Sequence, residues 1–491
     1  MIHEEHSSSI PKEGGALSSA KTILAQLDES NLSGFHLKAM LTSGMGFFTD
    51  AYDLFIIGVA LAILTPLWHL TALQVSLLGS TSLISAALGA ITFGWLADHL
   101  GRKFIYGYEL IVLAIGAIAS ALAPNVIFLL VFRFILGLGI GGDYPVSATL
   151  MSEYSNRRDR GKLITMVFSM QGLGLILGPL VAIILLLAGI NHDITWRIML
   201  ALGAVPALGT FYLRRHIAET PRFALAIQGN LEDATRTVDM VTKKTNGRSP
   251  VAPEKPAKPA ARQPKRSWLY LLTTPRYLRW LIGTAGAWFL LDIAYYGTTI
   301  SSPLVLKTLN SHANLVTNMF YTLIIFVVAA LPGYIVAALT IDRLGRKWIQ
   351  CVGFAMMTLA YGLIFVAPAL SSITLPFLLV YGLSYFFTEF GPNVTTFVYP
   401  AEIFPVMVRT TAHGIAAALG KVGAFIGAFA FPYLLFNFHL QGAMAAAAVV
   451  SLAGLVLTVV TLPEPNQRSL EEISDEHNVR AAHEERELVL K

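Results

Sequence analysis

The sequence predicts an all-α polytopic membrane protein with twelve transmembrane helices in two six-helix halves, and three observations lead there. Of the 491 residues, 55% are hydrophobic and only 13% charged, about half the charged share of a soluble domain. The apolar residues gather in runs long enough to cross the hydrocarbon of a bilayer, which needs about 20 residues of helix. A charged loop motif also occurs twice, half a chain apart, as Asp98-His-Leu-Gly-Arg-Lys103 and Asp342-Arg-Leu-Gly-Arg-Lys347.

In chain order, residues 1–37 form a polar tail of mixed charge. No basic start followed by an apolar core and a small-residue cleavage site occurs there, so the first span itself directs insertion. The first half, 38–213, holds candidate spans at 38–64, 75–97, 104–122, 125–151, 163–189 and 195–213. Residues 214–276 are polar and basic, rich in proline and alanine around Lys255, and read as a linker with a short amphipathic helix near 219–241. The second half, 277–462, holds spans at 277–301, 314–340, 348–368, 374–398, 409–435 and 441–462. Residues 463–491 form an acidic tail with Glu471, Glu472, Asp475 and Glu476.

Lysine and arginine alternate between loops. Arg102 and Lys103, then Arg157, Arg158, Arg160 and Lys162, then Arg343, Arg346 and Lys347 share one side, whereas Lys307 is the main basic residue of the other. The excess of positive charge marks the cytoplasmic side, so both termini and the linker are expected there, in a cell (plasma) membrane. The net charge of +5 resides mainly in these loops and calls for no nucleic-acid partner. The single cysteine, Cys351, excludes an intrachain disulfide and a cysteine metal cluster.

The two motif copies are 244 residues apart, each between spans two and three of its half. A weaker echo lies between spans four and five: Glu153 precedes Arg160, and Glu402 precedes Arg409, by seven residues each. Basic residues alone would serve as a topological anchor. Duplication of the acid with Gly-Arg-Lys favours a latch, in which Asp98, Arg102, Glu153 and Arg160 work with Asp342, Arg346, Glu402 and Arg409 to hold one face shut. Parallel halves suit a carrier that rocks one half against the other.

The Asp-x-x-Gly-Arg-Lys loop is similar to the hallmark of the major facilitator superfamily. Gly141-Gly-Asp-Tyr-Pro-Val-Ser-Ala-Thr-Leu-Met-Ser-Glu153 resembles the signature of the fungal and plant phosphate:proton symporters. Gly46-Phe-Phe-Thr-Asp50-Ala-Tyr-Asp53 and Gly391-Pro-Asn-Val-Thr-Thr-Phe-Val-Tyr-Pro-Ala-Glu402 resemble the same family. The resemblance spans roughly 36–462 and implies the major facilitator fold and proton-coupled uptake of inorganic phosphate by alternating access. The tail and the proline-rich linker are individual to this chain.

Charges inside a bilayer are costly and usually face a cavity or a partner. Here they are Asp50, Asp53, Glu109, Arg133, Asp143, Asp292, Glu389 and Lys421. A purely structural reading makes them buried ion pairs, and for Glu389 no better role is apparent. Phosphate needs several hydrogen-bond donors and an acceptor for its own hydroxyl. Span seven offers Trp288, Asp292 and Tyr296 at four-residue spacing, hence on one face. The resemblance places Tyr144, Gln171, Trp288, Asp292, Tyr296 and Asn393 around the phosphate, with Lys421 close by to offset its charge. Proton coupling needs carboxylates that can be neutral in the membrane. Asp50 and Asp143 come first, then Asp53 and Glu109, and the resemblance adds Arg133 to that route, where it would favour a charged Asp143. Glycines 137, 139, 141 and 142 let span four pack closely.

Nothing here calls for an enzyme, a cofactor or a metal, and His413 stands isolated. One chain holds both halves and could act as a monomer with phosphate, protons and the lipid bilayer as its partners. Two other readings keep the fold: a proton-coupled carrier of a sugar or organic acid, and a phosphate-sensing transceptor, against which the short tails argue. The charge pattern predicts that protease added from the cytoplasmic side cuts the linker between Lys255 and Lys265. Cleavage only from the opposite side would reverse the topology.

Overall fold

A computed structural model describes residues 22–215, 217–242, 269–307 and 314–474. Twelve membrane-crossing segments follow one another. Spans one to five are Gly34–Leu67, Ala72–Leu100, Arg102–Ala121, Val126–Tyr154 and Arg160–Leu187, and span six is His192–Arg214. Span seven is Pro275–Ile300, and spans eight and nine are Val316–Leu344 and Arg346–Val366. Span ten comes in two pieces, Thr374–Phe390 and Pro392–Ile403. Spans eleven and twelve form one continuous stretch, Arg409–Thr461, that turns at His439 (φ 57°).

Three irregularities have local causes. Span ten breaks at Gly391 because Pro392 lacks an N–H to continue the ladder. Span eight widens into a π-helical turn at Phe326–Ala330. The segment after span six is not one amphipathic helix but a turn at Pro221–Phe223, a π-turn at Ala224–Gln228 and a helix at Leu231–Thr242, separated by Gly229 with φ 67°. The remainder of the expected linker, residues 243–268, lies outside the described residues, as do 1–21 and 475–491.

Lipid offers no hydrogen bonds, so each span must satisfy its own ends. At the end remote from the basic loops, spans two, four, six and eight cap themselves. Thr71 accepts from Gln74 N, Asn125 from Ile127 N and Phe128 N, Asn191 from Asp193 N, and Asn314 from Thr317 N. At the basic face, spans five and eleven have no such cap of their own. Each is capped by the other half. Asp342 accepts from Gly161 N (3.0 Å) and Lys162 N (2.6 Å), and Asp98 accepts from Thr411 N (2.6 Å) and its hydroxyl (2.7 Å).

The duplicated motif thus performs the same task twice. Gly101 (φ 105°) and Gly345 (φ 89°) end spans two and eight in a backbone conformation that L side chains avoid. Arg102 then reaches back to Asp98 (3.0 Å) and on to Glu153 (3.3 Å), while Arg346 pairs with Asp342 (2.7 Å) and Glu402 (2.8 Å). Arg409 crosses from the second half to Glu153 at 3.0 Å, and Arg102 donates to the Val406 carbonyl at 2.8 Å. Arg160 lies within electrostatic reach of Glu402 and donates to the Arg468 carbonyl (3.1 Å). A further repeated acid went unnoticed in the sequence. Glu219 accepts from Lys103 N, and Glu464 accepts from Arg346 N and Lys347 N. Burial pushes the Glu219 carboxyl up, against its hydrogen bonds to backbone N–H groups and the charge of Arg102.

Away from this face, the halves meet where span two packs on span eleven and span five on span eight. At Gly94 and Gly414 the first pair comes so close that a Cβ on either glycine would strike the backbone opposite. Around the basic face, Arg222 ties three chain segments together through Asp28 (2.6 Å), Glu471 (2.9 Å) and the Glu153 carbonyl (2.8 Å). Burial works to raise the Glu471 carboxyl, and Arg222 overrides it, holding it below the usual glutamate range.

Candidate substrate and proton sites

Halfway along the spans, between the halves, sits a cluster built on Lys421 of span eleven. Its Nζ donates to the Tyr144 hydroxyl (3.0 Å) and the Tyr296 hydroxyl (2.7 Å) and lies 3.9 Å from Asp292 Oδ2. It also stands over both phenol rings, at 4.3 and 4.6 Å from their centroids. Each phenol oxygen accepts from the ammonium, and the two hydroxyls also hydrogen-bond to each other. Asp292 Oδ2 has no hydrogen-bond partner. Donors, a cation and a free acceptor therefore face one point, and all four side chains are buried.

The other expected ligands stand beside this cluster in a second group. Gln171 reaches the Tyr295 hydroxyl (3.4 Å) rather than Tyr296. Asn393, at the start of the second piece of span ten, donates to the Tyr334 hydroxyl (2.9 Å) and to Glu389. Trp288 packs on Tyr144 with ring centroids 6.0 Å apart, and Gly420 leaves the space its indole occupies.

Phe47, Phe168, Phe397 and His413 each lie nearer the basic face than the site residue on the same span. Phe168 and Phe397 stack at 4.5 Å across the halves, and Phe47 meets Phe397 at 5.0 Å. An aromatic layer thus separates the site from the ion pairs beneath. On the other side, Phe55 meets Phe326 at 4.9 Å, next to a small pocket lined by Leu54, Pro179, Thr299, Met319 and Thr322 among others.

The expected proton residues divide into two sites, and the structure adds a residue that the sequence reading left in the linker. Arg214 belongs to span six and is fully buried. Its Nη1 lies 2.6 Å from Glu109 and 2.8 Å from Asp143, and its Nη2 donates to Asp143 (3.0 Å) and the Ser43 carbonyl (3.1 Å). The guanidinium also lies over the Tyr106 ring at 4.1 Å. A Cβ at Gly46 would overlap both Asp143 and Arg214, so the guanidinium occupies space that Gly46 leaves open.

Arg133 was expected to act on Asp143. It lies instead with Asp53, donating to the Asp53 carbonyl (3.3 Å) and to Ser82 (3.2 Å), and the two side chains interact electrostatically. Ten residues separate positions 133 and 143 on one helix, too great an axial rise for a contact. Both carboxylate oxygens of Asp50 and of Asp53 lack hydrogen-bond partners. Asp50 stands within electrostatic reach of Asp143, Lys421 and Arg214. Span four's glycines serve close packing: residues 137 and 141 face the backbone of span two, and 139 faces that of span three.

Two six-span halves around a central polar site, latched at one face, define a membrane carrier of the major facilitator superfamily, which moves its cargo without covalent chemistry. The chain belongs to the sugar (and other) transporter family, whose profile matches residues 29–477, and shares a family with the plant inorganic phosphate transporters. It is 38% identical to the probable inorganic phosphate transporter 1-6 of Arabidopsis thaliana, over 93% of this chain and 96% of that one. It is 37% identical to the low affinity inorganic phosphate transporter 4 of Medicago truncatula, over 92% and 94%. Its fold matches the proton:xylose symporter XylE bound to 6-bromo-6-deoxy-D-glucose, with TM-score 0.76, 20% identity, 91% of this chain and 99% of that one covered. For the inward open form of the xylose transporter from E. coli the TM-score is 0.64 at 18% identity, covering 90% and 99%.

Replacing Arg214 with Gln would leave Glu109 and Asp143 buried without their cation. A broken buried ion pair costs about 3–5 kcal/mol, so the thermal unfolding midpoint of the purified protein should fall clearly. Adding E109Q and D143N should recover most of the loss. An R214Q protein as stable as wild type would show that the triad does not hold this half together.

Proposed function

We propose that the chain takes up inorganic phosphate together with protons across a cell membrane by alternating access. The observation that carries this reading is the Lys421 cluster, in which one cation gathers two phenol hydroxyls beside a carboxylate oxygen that has no hydrogen-bond partner. A tetrahedral oxyanion that keeps a hydroxyl can use all of these. Its charged oxygens accept from Tyr144, Tyr296 and Lys421, and its hydroxyl donates to Asp292. A neutral sugar has no charge for a buried lysine to balance, and the sequence relatives named above, at 37–38% identity, are phosphate transporters.

In this reading the basic face is cytoplasmic, as are both termini and the segment between spans six and seven, and the membrane is the plasma membrane. Residues 38–213 and 277–462 move as the two rocking halves. Phosphate enters from outside past Phe55 and Phe326. Asp50 and the Arg214–Asp143–Glu109 triad serve as the main proton sites, with Asp53 and Arg133 beside them. A proton on Asp143 or Glu109 weakens its hold on Arg214, and in this way the proton's arrival is felt across spans one, three, four and six. Gln171 and Asn393 complete the anion's shell through the neighbouring tyrosines. Asp98, Arg102, Glu153 and Arg160 with Asp342, Arg346, Glu402 and Arg409 form the cytoplasmic gate, which must part for release. The chain acts alone, without cofactor or metal.

The deciding experiment is radiolabelled phosphate uptake into proteoliposomes of purified protein. An inward proton gradient should drive accumulation above equilibrium, and its collapse should abolish that accumulation. Uptake indifferent to the gradient would remove the coupling, and no uptake would remove the substrate.

Selectivity follows from Asp292. Phosphate near neutral pH carries a hydroxyl that this carboxylate accepts, whereas sulfate would press a charged oxygen against it. Such an unpaired contact costs about 2–5 kcal/mol. D292N should weaken phosphate binding and relax its preference over sulfate, since an amide offers a donor to either anion. Equilibrium competition between the two anions in wild type and mutant checks this. An unchanged preference would exclude Asp292 from reading the substrate's proton.

A further inference from the structure

Most acids of the membrane interior have a cation within electrostatic reach. Asp143 and Glu109 have Arg214, Asp53 has Arg133, Asp292 has Lys421, and Asp50 feels both Lys421 and Arg214. Glu389 differs. It is fully buried in span ten, and among the described residues no lysine, arginine or histidine pairs with it or acts on it electrostatically. Its Oε2 accepts from Asn393, and its Oε1 has no hydrogen-bond partner. The phenols of Tyr295 from span seven and Tyr334 from span eight face it within hydrogen-bonding reach, and Tyr361 from span nine feels its charge. Among the described residues the charged neighbour that feels it is Asp292, of like sign. Gly333 of span eight packs directly on its Cβ, so the carboxyl has no retreat on that side.

An anion so placed would violate the rule that every other acid here obeys. Lys421 already balances Asp292, so an ionised Glu389 would confront an entering oxyanion with unbalanced negative charge. The neutral acid does the reverse. With Oε2 held by Asn393, a proton on Oε1 would lie beside the phenol oxygens of Tyr295 and Tyr334, one hydrogen bond away from a residue expected to surround the substrate. Packing alone does not require an acid here, since an amide would fill the same volume and spare the buried carboxyl.

We propose that Glu389 is a second, substrate-linked proton carrier. It takes a proton from the external water, donates its Oε1–H towards the bound oxyanion, and releases that proton to the cytoplasm when the site opens inward. The inference rests on the phosphate reading and deepens it, because the second half then carries a proton of its own beside those of the first. No covalent bond other than O–H is made or broken. The expected pH dependence has one sign: phosphate affinity falls as pH rises and Glu389 loses its proton.

The test compares wild type with Glu389→Gln, which keeps the shape and a donor but cannot titrate. Inorganic phosphate is added to purified protein in weak buffer, and proton uptake per phosphate bound is read with a pH dye. Co-transported protons per phosphate are counted in proteoliposomes. E389Q should take up one proton fewer per phosphate and lose the acid-side pH dependence of binding, and Glu389→Asp should restore both. Equal proton counts and equal pH profiles in wild type and E389Q would overturn the inference while leaving phosphate transport intact. Wild type that binds no phosphate would overturn the substrate reading and this inference with it. Should E389Q fail to fold, infrared difference spectra decide. A protonated-carboxyl band of wild type that shifts on phosphate binding, and is displaced in E389D, supports the proposal; no such band overturns it.

Discussion

A charge inside a bilayer must find its opposite, and that constraint organises this molecule. Its clearest expression is Arg214, whose guanidinium joins Asp143 of span four, Glu109 of span three and the backbone of span one. Removing any of these leaves an ion in a medium that cannot solvate it. The first half is therefore held by a node that is also chemically mutable, since its carboxylates can be neutralised by protons. In the proposed mechanism, rigidity and coupling draw on the same bonds.

The second half follows a different plan. Lys421 alone balances Asp292, and its remaining hydrogens are given to two phenols. Around it stand hydroxyls and amides, including Tyr295, Tyr334, Gln171 and Asn393. In the proposed function most of the protonatable acids lie in the first half and most of the anion's ligands in the second. The two are joined by Tyr144, which neighbours Asp143 in the chain yet binds the lysine of the opposite half.

Much of this was legible in the sequence. Apolar runs gave the spans to within a few residues, and the repeated Asp-x-x-Gly-Arg-Lys loop gave the two halves, because both signals are local. Asp292, Tyr296 and Trp288 share a helix face by simple periodicity. Arg214 escaped because it ends an apolar run and opens a polar stretch, where a basic residue looks like an anchor. What distinguishes it is three-dimensional: two acids from other spans and the gap at Gly46. The pairing of Gln171 with Tyr295 rather than Tyr296 escaped for another reason. Adjacent tyrosines differ by about 100° around the helix, and periodicity cannot say which faces a particular neighbour. That Arg133 lies too far from Asp143 to touch it was open to arithmetic, since ten residues of helix rise about 15 Å; its place beside Asp53 depends on how spans one and four pack.

The swapped caps at the basic face carry a consequence for the manner of opening. Span five borrows its cap from Asp342, and span eleven borrows its cap from Asp98. A missing cap costs a helix about 0.5–2 kcal/mol, and here both are lost together whenever the halves part. Unfastening one side only would strand a helix end and a buried acid while the other side still held the halves in register. The seam therefore behaves like a pair of bolts that must be drawn at once. In the proposed cycle the two caps would be released together, each uncovering a helix end and an acid as the cytoplasmic side opens.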